Sequence, residues 1–153
     1  MPSTALFYTF TLVEQRFRFP KSHRLKRRRD LESLMQGGKS FHMFPLRAVY
    51  RFSDTAGSQP VCMAVSVPKR LFKSAVDRNL LKRRIREAYR LNLGGIFTQK
   101  PAGRTIHLLL VYTGKEKVAF DLIQSKIILI LRRLHTIHEQ DSVNDTVRPP
   151  DSV

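Results

Sequence analysis

Residues 72–90 read FKSAVDRNLLKRRIREAYR, seven cations and two acids within nineteen residues. Ser74 followed by Asp77 has the form of a helix start. The serine oxygen is placed to accept a free backbone N–H, and the carboxylate stands at the positive end of the helix dipole. The spacing predicts a helix from about Ala75, closed by Gly94-Gly95. At about 100° per residue, Leu81, Ile85, Ala88 and Tyr89 share one arc, the face to be buried against a sheet. Arg78, Asn79, Lys82, Arg83, Arg86 and Arg90 fill the adjoining arc.

Arg78, Lys82, Arg86 and Arg90 stand four apart and form one ridge, at about 6 Å per step along the axis. Such a row repels itself by a few tenths of a kcal/mol per pair, and only Asp77 and Glu87 are near enough to offset it. A helix built for stability alone would carry acids four residues before these bases. The ridge therefore points to phosphate contact, and guanidiniums suit bidentate contacts of that kind. A solvated basic face is the competing reading of any charge run. Asn79 weighs against it, because a small amide inside a cationic arc adds neither charge nor helix propensity and so suggests a specific hydrogen bond.

Composition points to a folded domain with a polyanionic partner. Its 153 residues suffice for one domain with its own core, and 28 Lys plus Arg against 12 Asp plus Glu give a net charge of +16. That excess calls for a polyanion or an anionic membrane surface, and nucleic acid comes first. An apolar fraction of 42% with ten Phe separates it from a disordered basic tail. Cys62 is the only cysteine, so no internal disulfide forms and the cytoplasm is the default compartment. No stretch approaches the roughly 18 continuous apolar residues of a membrane span. Residues 1–18 lack a cationic start and their apolar run is broken by Thr4, Thr9 and Thr11, so they are expected to be an extension, not a signal peptide.

Along the chain, Lys21 to Arg29 form a cationic cluster ahead of Leu31, Leu34 and Met35, a short helix stopped by Gly37-Gly38. FPLRAVYRF (44–52) alternates as a strand, with Leu46, Ala48, Tyr50 and Phe52 on one face and Arg47, Val49 and Arg51 on the other. SDTAGSQP (53–60) reads as a loop and VCMAVSV (61–67) as a second strand, the two forming a hairpin. TIHLLLVYT (105–113) is apolar enough for a central strand buried on both faces. A last helix follows with Phe120, Ile123, Ile127, Ile130, Leu131 and Leu134 in register, and a polar tail expected to be disordered from Glu139. The order is αββαβα, with room for a further short strand near Phe41 to Phe44.

AVDRNLLKRRIREAYR (75–90) resembles the Arg-Asn-Arg signature of the bacterial ribonuclease P protein family. VCMAVSVPKR (61–70) is similar to that family's strand leading into the signature helix, and RLKRRRDLESLMQGGKSF (24–41) to its first helix and turn. The resemblance spans Phe19 to Leu134. It implies an α/β sandwich in the order αβββαβα, of the ribosomal protein S5 domain 2-like class, with a central mixed sheet and a left-handed crossover into the basic helix. The domain boundaries expected are 1–18 for an N-terminal extension, 19–138 for the ribonuclease P protein domain and 139–153 for the tail.

The resemblance also implies a function, the accessory subunit of an endoribonuclease that removes the 5′ leader from precursor tRNA. The catalyst there is a large RNA with bound Mg²⁺, one protein serving one RNA, and no metal is held by the protein alone. Carried over by position, Arg78, Asn79, Lys82, Arg83, Arg86 and, by extension, Arg90 would bind the catalytic RNA. A cleft between the first helix and the sheet would receive the leader, with Leu31, Met35, Tyr50, Arg51, Lys69 and Lys73 as its contacts; basic grooves with flat faces hold single strands in this way. The family commonly has an aromatic residue where Leu31 stands, and Leu31, Leu34 and Met35 serve equally well as core.

No catalytic residue is expected in the chain itself. His135 and His138 are three apart, but His107 and Cys62 lie on unrelated segments and no carboxylate completes a metal set. The alternative function is a structural RNA-binding protein of ribosomal type without a role in cleavage. A DNA-reading helix lacks a helix-turn-helix partner, and a membrane-surface helix lacks the aromatic apolar face such helices use.

Overall fold

The run Ile106 to Leu110 takes the centre of a four-stranded sheet, as its burial demand requires. In a computed structural model that describes residues 21–56, 59–97 and 104–147, strand β4 (Arg104–Tyr112) lies between β2 (Leu46–Ala56) and β3 (Val61–Ser66), and β1 (Lys39–Met43) closes the order β1-β2-β4-β3. β4 runs antiparallel to β2, from Leu46↔Tyr112 to Phe52↔Ile106, and parallel to β3, from Val61↔Ile106 to Ser66↔Val111. The sheet is therefore mixed. β1 is the short strand the sequence left room for, and it pairs with β2.

Two expectations about this region change. β2 and β3 do not form a hairpin, because the strand with the most apolar surface on both faces displaces direct pairing and inserts between them. The segment from Ser53 does not begin a loop: β2 continues to Ala56, with an irregularity in its pairing after Phe52.

Helices α2 (Ala75–Ile96) and α3 (Phe120–Val147) cover one face of the sheet. The main core joins Leu81, Ile85, Ala88, Tyr89 and Leu93 of α2 and Ile123, Ile127, Ile130, Leu131 and Leu134 of α3 to Leu46, Ala48, Met63, Ile106, Leu108 and Leu110 of the sheet. The arc assigned from helical periodicity is thus the buried one. Tyr89, fully inside, donates its hydroxyl proton to the Val61 carbonyl at 3.2 Å, and burial holds its phenol far above the ordinary range.

The other face carries α1 (Arg28–Gly37) over a smaller cluster of Leu25, Leu34, Val49 and Leu109, with Leu31 packed at its margin. The result is an α/β sandwich in the order αβββαβα, preceded by a single 3₁₀ turn at Lys21–His23.

Both helix ends near the core run past their expected stops. Gly94 and Gly95 lie inside α2, which closes only at Phe97, whose N–H bonds the Leu93 carbonyl at 2.8 Å. Burying Leu93 and Phe97 outweighs the roughly 1 kcal/mol of propensity each glycine forfeits. Nothing stands within 4 Å of a Cβ built at either glycine. Gly94→Ala with Gly95→Ala is therefore expected to stabilise the protein by about 1–2 kcal/mol, read as a higher denaturation midpoint at unchanged slope.

α3 continues through Val147 instead of ending in a tail from Glu139. Arg104 at the start of β4 makes two bonds to the Asp141 carboxylate, at 2.7 and 2.8 Å, and His138 Nε2 donates to the Arg104 carbonyl at 3.0 Å. These contacts order turns whose sequence is polar. The expected N-terminal extension, the segment 98–103, where Pro101 and Gly103 lead one to expect a loop, and the residues beyond Val147 lie outside the described residues. No described helix is long and apolar enough to cross a membrane.

Candidate nucleic-acid interface

α2 begins where the sequence places it, but by other contacts. Ser74 occupies the N-cap position with no side-chain cap bond, and Asp77 pairs across to Lys117 at 2.9 Å. Arg78 instead serves the entrance: its Nη1 donates to the carbonyls of Phe72 at 2.8 Å and Lys73 at 3.0 Å.

Beyond it, Asn79, Arg83 and Arg86 are exposed and Lys82 half-exposed, and no acid pairs with these three cations among the described residues. Arg84 turns the other way and donates to the Val118 carbonyl at 2.8 Å, tying α2 to the start of α3.

The ridge is less uniform than its spacing suggests. Arg90 folds back on Glu87, with Nε at 3.1 Å and a second, shorter contact through Nη2, and its side chain is only 8% exposed. An Arg three residues after a Glu finds an internal partner that the four-residue spacing does not reveal. The second arginine in the name of the Arg-Asn-Arg signature is also missing here, since Leu80 follows Asn79.

A feature not legible in the sequence lies beside Arg86. The segment Arg24-Leu25 runs along the outer edge of β3, with the Leu25 N–H bonded to the Met63 carbonyl at 3.0 Å. This places Arg24, Leu25 and Lys26 opposite Arg86 across a cleft of about 370 Å³ floored by Met63, Ala64 and Val65. The cationic cluster before α1 and the cationic face of α2 are thereby one continuous surface. Composition marked both as basic, but nothing in their spacing announced that they meet.

The residues expected around the leader divide. Arg51 lies on the α1 side, its Nη1 directed to the Ser33 carbonyl at 3.5 Å, and Met35 on α1 is 68% exposed. Leu34 is core and Leu31 is half-buried against it. Lys69 and Lys73 are exposed on the turn between β3 and α2. Tyr50 is elsewhere: strand alternation puts it on the opposite face of the sheet, partly buried in the main core with its ring 5.9 Å from that of Phe41. Val49 and Arg51 are the neighbours of Tyr50 that face α1.

Other reactive groups are engaged structurally. The Cys62 thiol donates to the Ser22 carbonyl at 3.4 Å, and burial, followed by the nearby Asp30 charge, raises its pKa and keeps it protonated. Among the described residues no group of three or more His, Cys, Asp or Glu side chains could hold a metal ion.

Comparison with known proteins places this geometry. The chain is 39% identical over 98 residues to the ribonuclease P protein component of Porphyromonas gingivalis, covering 62% of this chain and 72% of that one. Its fold matches the ribonuclease P protein of Thermotoga maritima with a TM-score of 0.58 at 25% identity, over 72% of this chain and 96% of that one. The Staphylococcus aureus ribonuclease P protein matches in fold as well, with a TM-score of 0.58 at 20% identity, over 74% and 95% of the two chains. A sequence profile of the family described as Ribonuclease P matches residues 19–135, and the chain belongs to the ribonuclease P protein family.

Proposed function

We propose that this chain is the protein subunit of a ribonuclease P holoenzyme, binding the catalytic RNA and the 5′ leader of precursor tRNA and so promoting endonucleolytic formation of the mature tRNA 5′ end. The observation that carries this reading is the outer face of α2. Its inner arc is consumed by the core, while Asn79, Lys82, Arg83 and Arg86 stand outward without acid partners among the described residues.

On that face the protein supplies positive charge at fixed spacing, which displaces condensed counterions from the RNA and lets two phosphate-rich strands approach. The leader lies between α1 and the sheet, with Arg51, Lys69 and Lys73 toward its phosphates and Leu31 and Met35 toward its bases. Hydrolysis belongs to the RNA and the Mg²⁺ it binds. The protein's part is to hold substrate and catalyst together, which lowers the Mg²⁺ the RNA needs for the same screening. One protein per RNA is part of the same proposal.

The test is precursor-tRNA cleavage by the cognate RNA at low Mg²⁺, with and without the protein. Restored cleavage is expected. If the folded protein binds the RNA but leaves cleavage unchanged, the structural RNA-binding alternative replaces this reading.

A further inference from the structure

Within the turn between β3 and α2, three cations crowd together: Lys69, Arg70 and Lys73 are all exposed. Their mutual repulsion favours an open, mobile turn. The usual remedies are missing, because Ser74 makes no cap bond and Asp77, the one acid in the first turn of α2, is engaged by Lys117. At its N-terminal side the turn closes on the Pro68 carbonyl, which accepts from the N–H groups of Leu71 and Phe72 at 3.2 and 3.3 Å. Its middle is anchored by Phe72, buried with its ring 5.7 Å from that of Tyr112. The last link, from Phe72 and Lys73 to the helix, is made by the two bonds from Arg78 Nη1.

We propose that Arg78 is a positioning residue, whose guanidinium holds the Phe72 and Lys73 carbonyls and thereby fixes the Lys69–Lys73 turn in the place where its cations meet RNA. A charged donor bonded to two carbonyls makes links stronger than neutral ones, and here they join a self-repelling turn to a rigid helix. This role rests on the holoenzyme reading for its consequence and on the protein alone for its geometry. Arg78 then contributes to RNA binding mainly through Lys69 and Lys73, in contrast to Lys82, Arg83 and Arg86, which act directly.

Two measurements test it. In the free protein, Arg78→Ala is expected to speed amide hydrogen exchange at residues 69–74 by roughly tenfold, while the amides of Leu81 and Ile85 keep their protection. In the holoenzyme at low Mg²⁺, the losses in kcat/KM from Arg78→Ala and Lys73→Ala should fall well short of multiplying when combined. Unchanged exchange together with fully multiplying losses would make Arg78 an independent phosphate contact and overturn the proposal. Should Arg78→Ala fail to fold, Arg78→Lys carries the test: faster exchange at 69–74 with the salt dependence of RNA binding retained supports the positioning role, and wild-type exchange refutes it. The exchange measurement needs no RNA, so it stands even if the wild-type protein fails to promote cleavage, a result that would strike only at the holoenzyme reading.

Discussion

Replacing Lys82, Arg83 and Arg86 together by alanine is expected to weaken binding to the catalytic RNA by about 10²- to 10³-fold at low salt and to abolish stimulation of cleavage at low Mg²⁺. Each of the three gives up about one phosphate contact worth on the order of 1 kcal/mol or more. The slope of log affinity against log salt should become shallower by about 2–3, at 0.7–0.9 per contact. The same change should not harm the fold. All three side chains project from the outer arc, and removing the Lys82–Arg86 repulsion should raise stability by a few tenths of a kcal/mol. Binding and stability are therefore expected to move in opposite directions, which separates lost contact from misfolding. Titrations at several salt concentrations alongside a thermal melt would show it, and an unchanged salt slope would remove the phosphate contacts from this face.

The second large effect is predicted at the corner between α1 and β1. A Cβ on Gly38 would sit 2.3 Å from the Leu34 carbonyl oxygen and 2.9 Å from Val49 Cγ1. The first of these is the acceptor that closes α1, bonded to the Gly38 N–H at 2.9 Å, and the second belongs to the small cluster under α1. Neither has room to yield. The backbone at Gly38, φ −76° and ψ 144°, is open to any residue, so the requirement for glycine is purely one of space. Gly38→Ala is expected to cost about 2–4 kcal/mol, a fall of roughly 6–12 °C in Tm for a domain of this size. Gly37→Ala is the control, since its Cβ would meet only the Arg51 Nη1 at 3.9 Å. Equal effects at the two glycines in denaturant titrations would count against this account.

What the sequence disclosed and what it withheld follow from the range of the interactions involved. The inner arc of α2 and the apolar stripe of α3 were legible because helical periodicity is a local property, and each buried residue assigned to them lies in the core or packs against it. The exposed positions of Asn79, Arg83 and Arg86 followed from the same wheel. The β2–β3 hairpin failed because pairing is decided by the whole sheet: two strands adjacent in sequence were separated by a third with a stronger claim to the centre. Gly94-Gly95 carried a real local preference for stopping, overridden by the burial of Phe97 one turn on. Alternation already put Tyr50 and Arg51 on opposite faces of β2. Which of those faces α1 would cover is a tertiary fact, and only the structure assigned it to Arg51. The meeting of Arg24 and Lys26 with Arg86 was beyond sequence reading for the same reason, being a contact across some sixty residues.

The insertion of β4 between β2 and β3 also sets a timetable for synthesis. β1 and β2 can pair as soon as they leave the ribosome, yet among the described residues β3 has only the short bridge to Arg24-Leu25 beside it until Arg104–Tyr112 has been made. All of α2 emerges in the interval. Its apolar arc then has no completed sheet to rest on, while its cations are already displayed beside a translation machine built largely of RNA. Closing the loop from β3 to β4 is the step with the larger entropic cost, and it comes late. The nascent chain thus passes through a stage in which an adhesive basic helix precedes the fold that will hold it, and rapid completion of β4 is what ends that exposure.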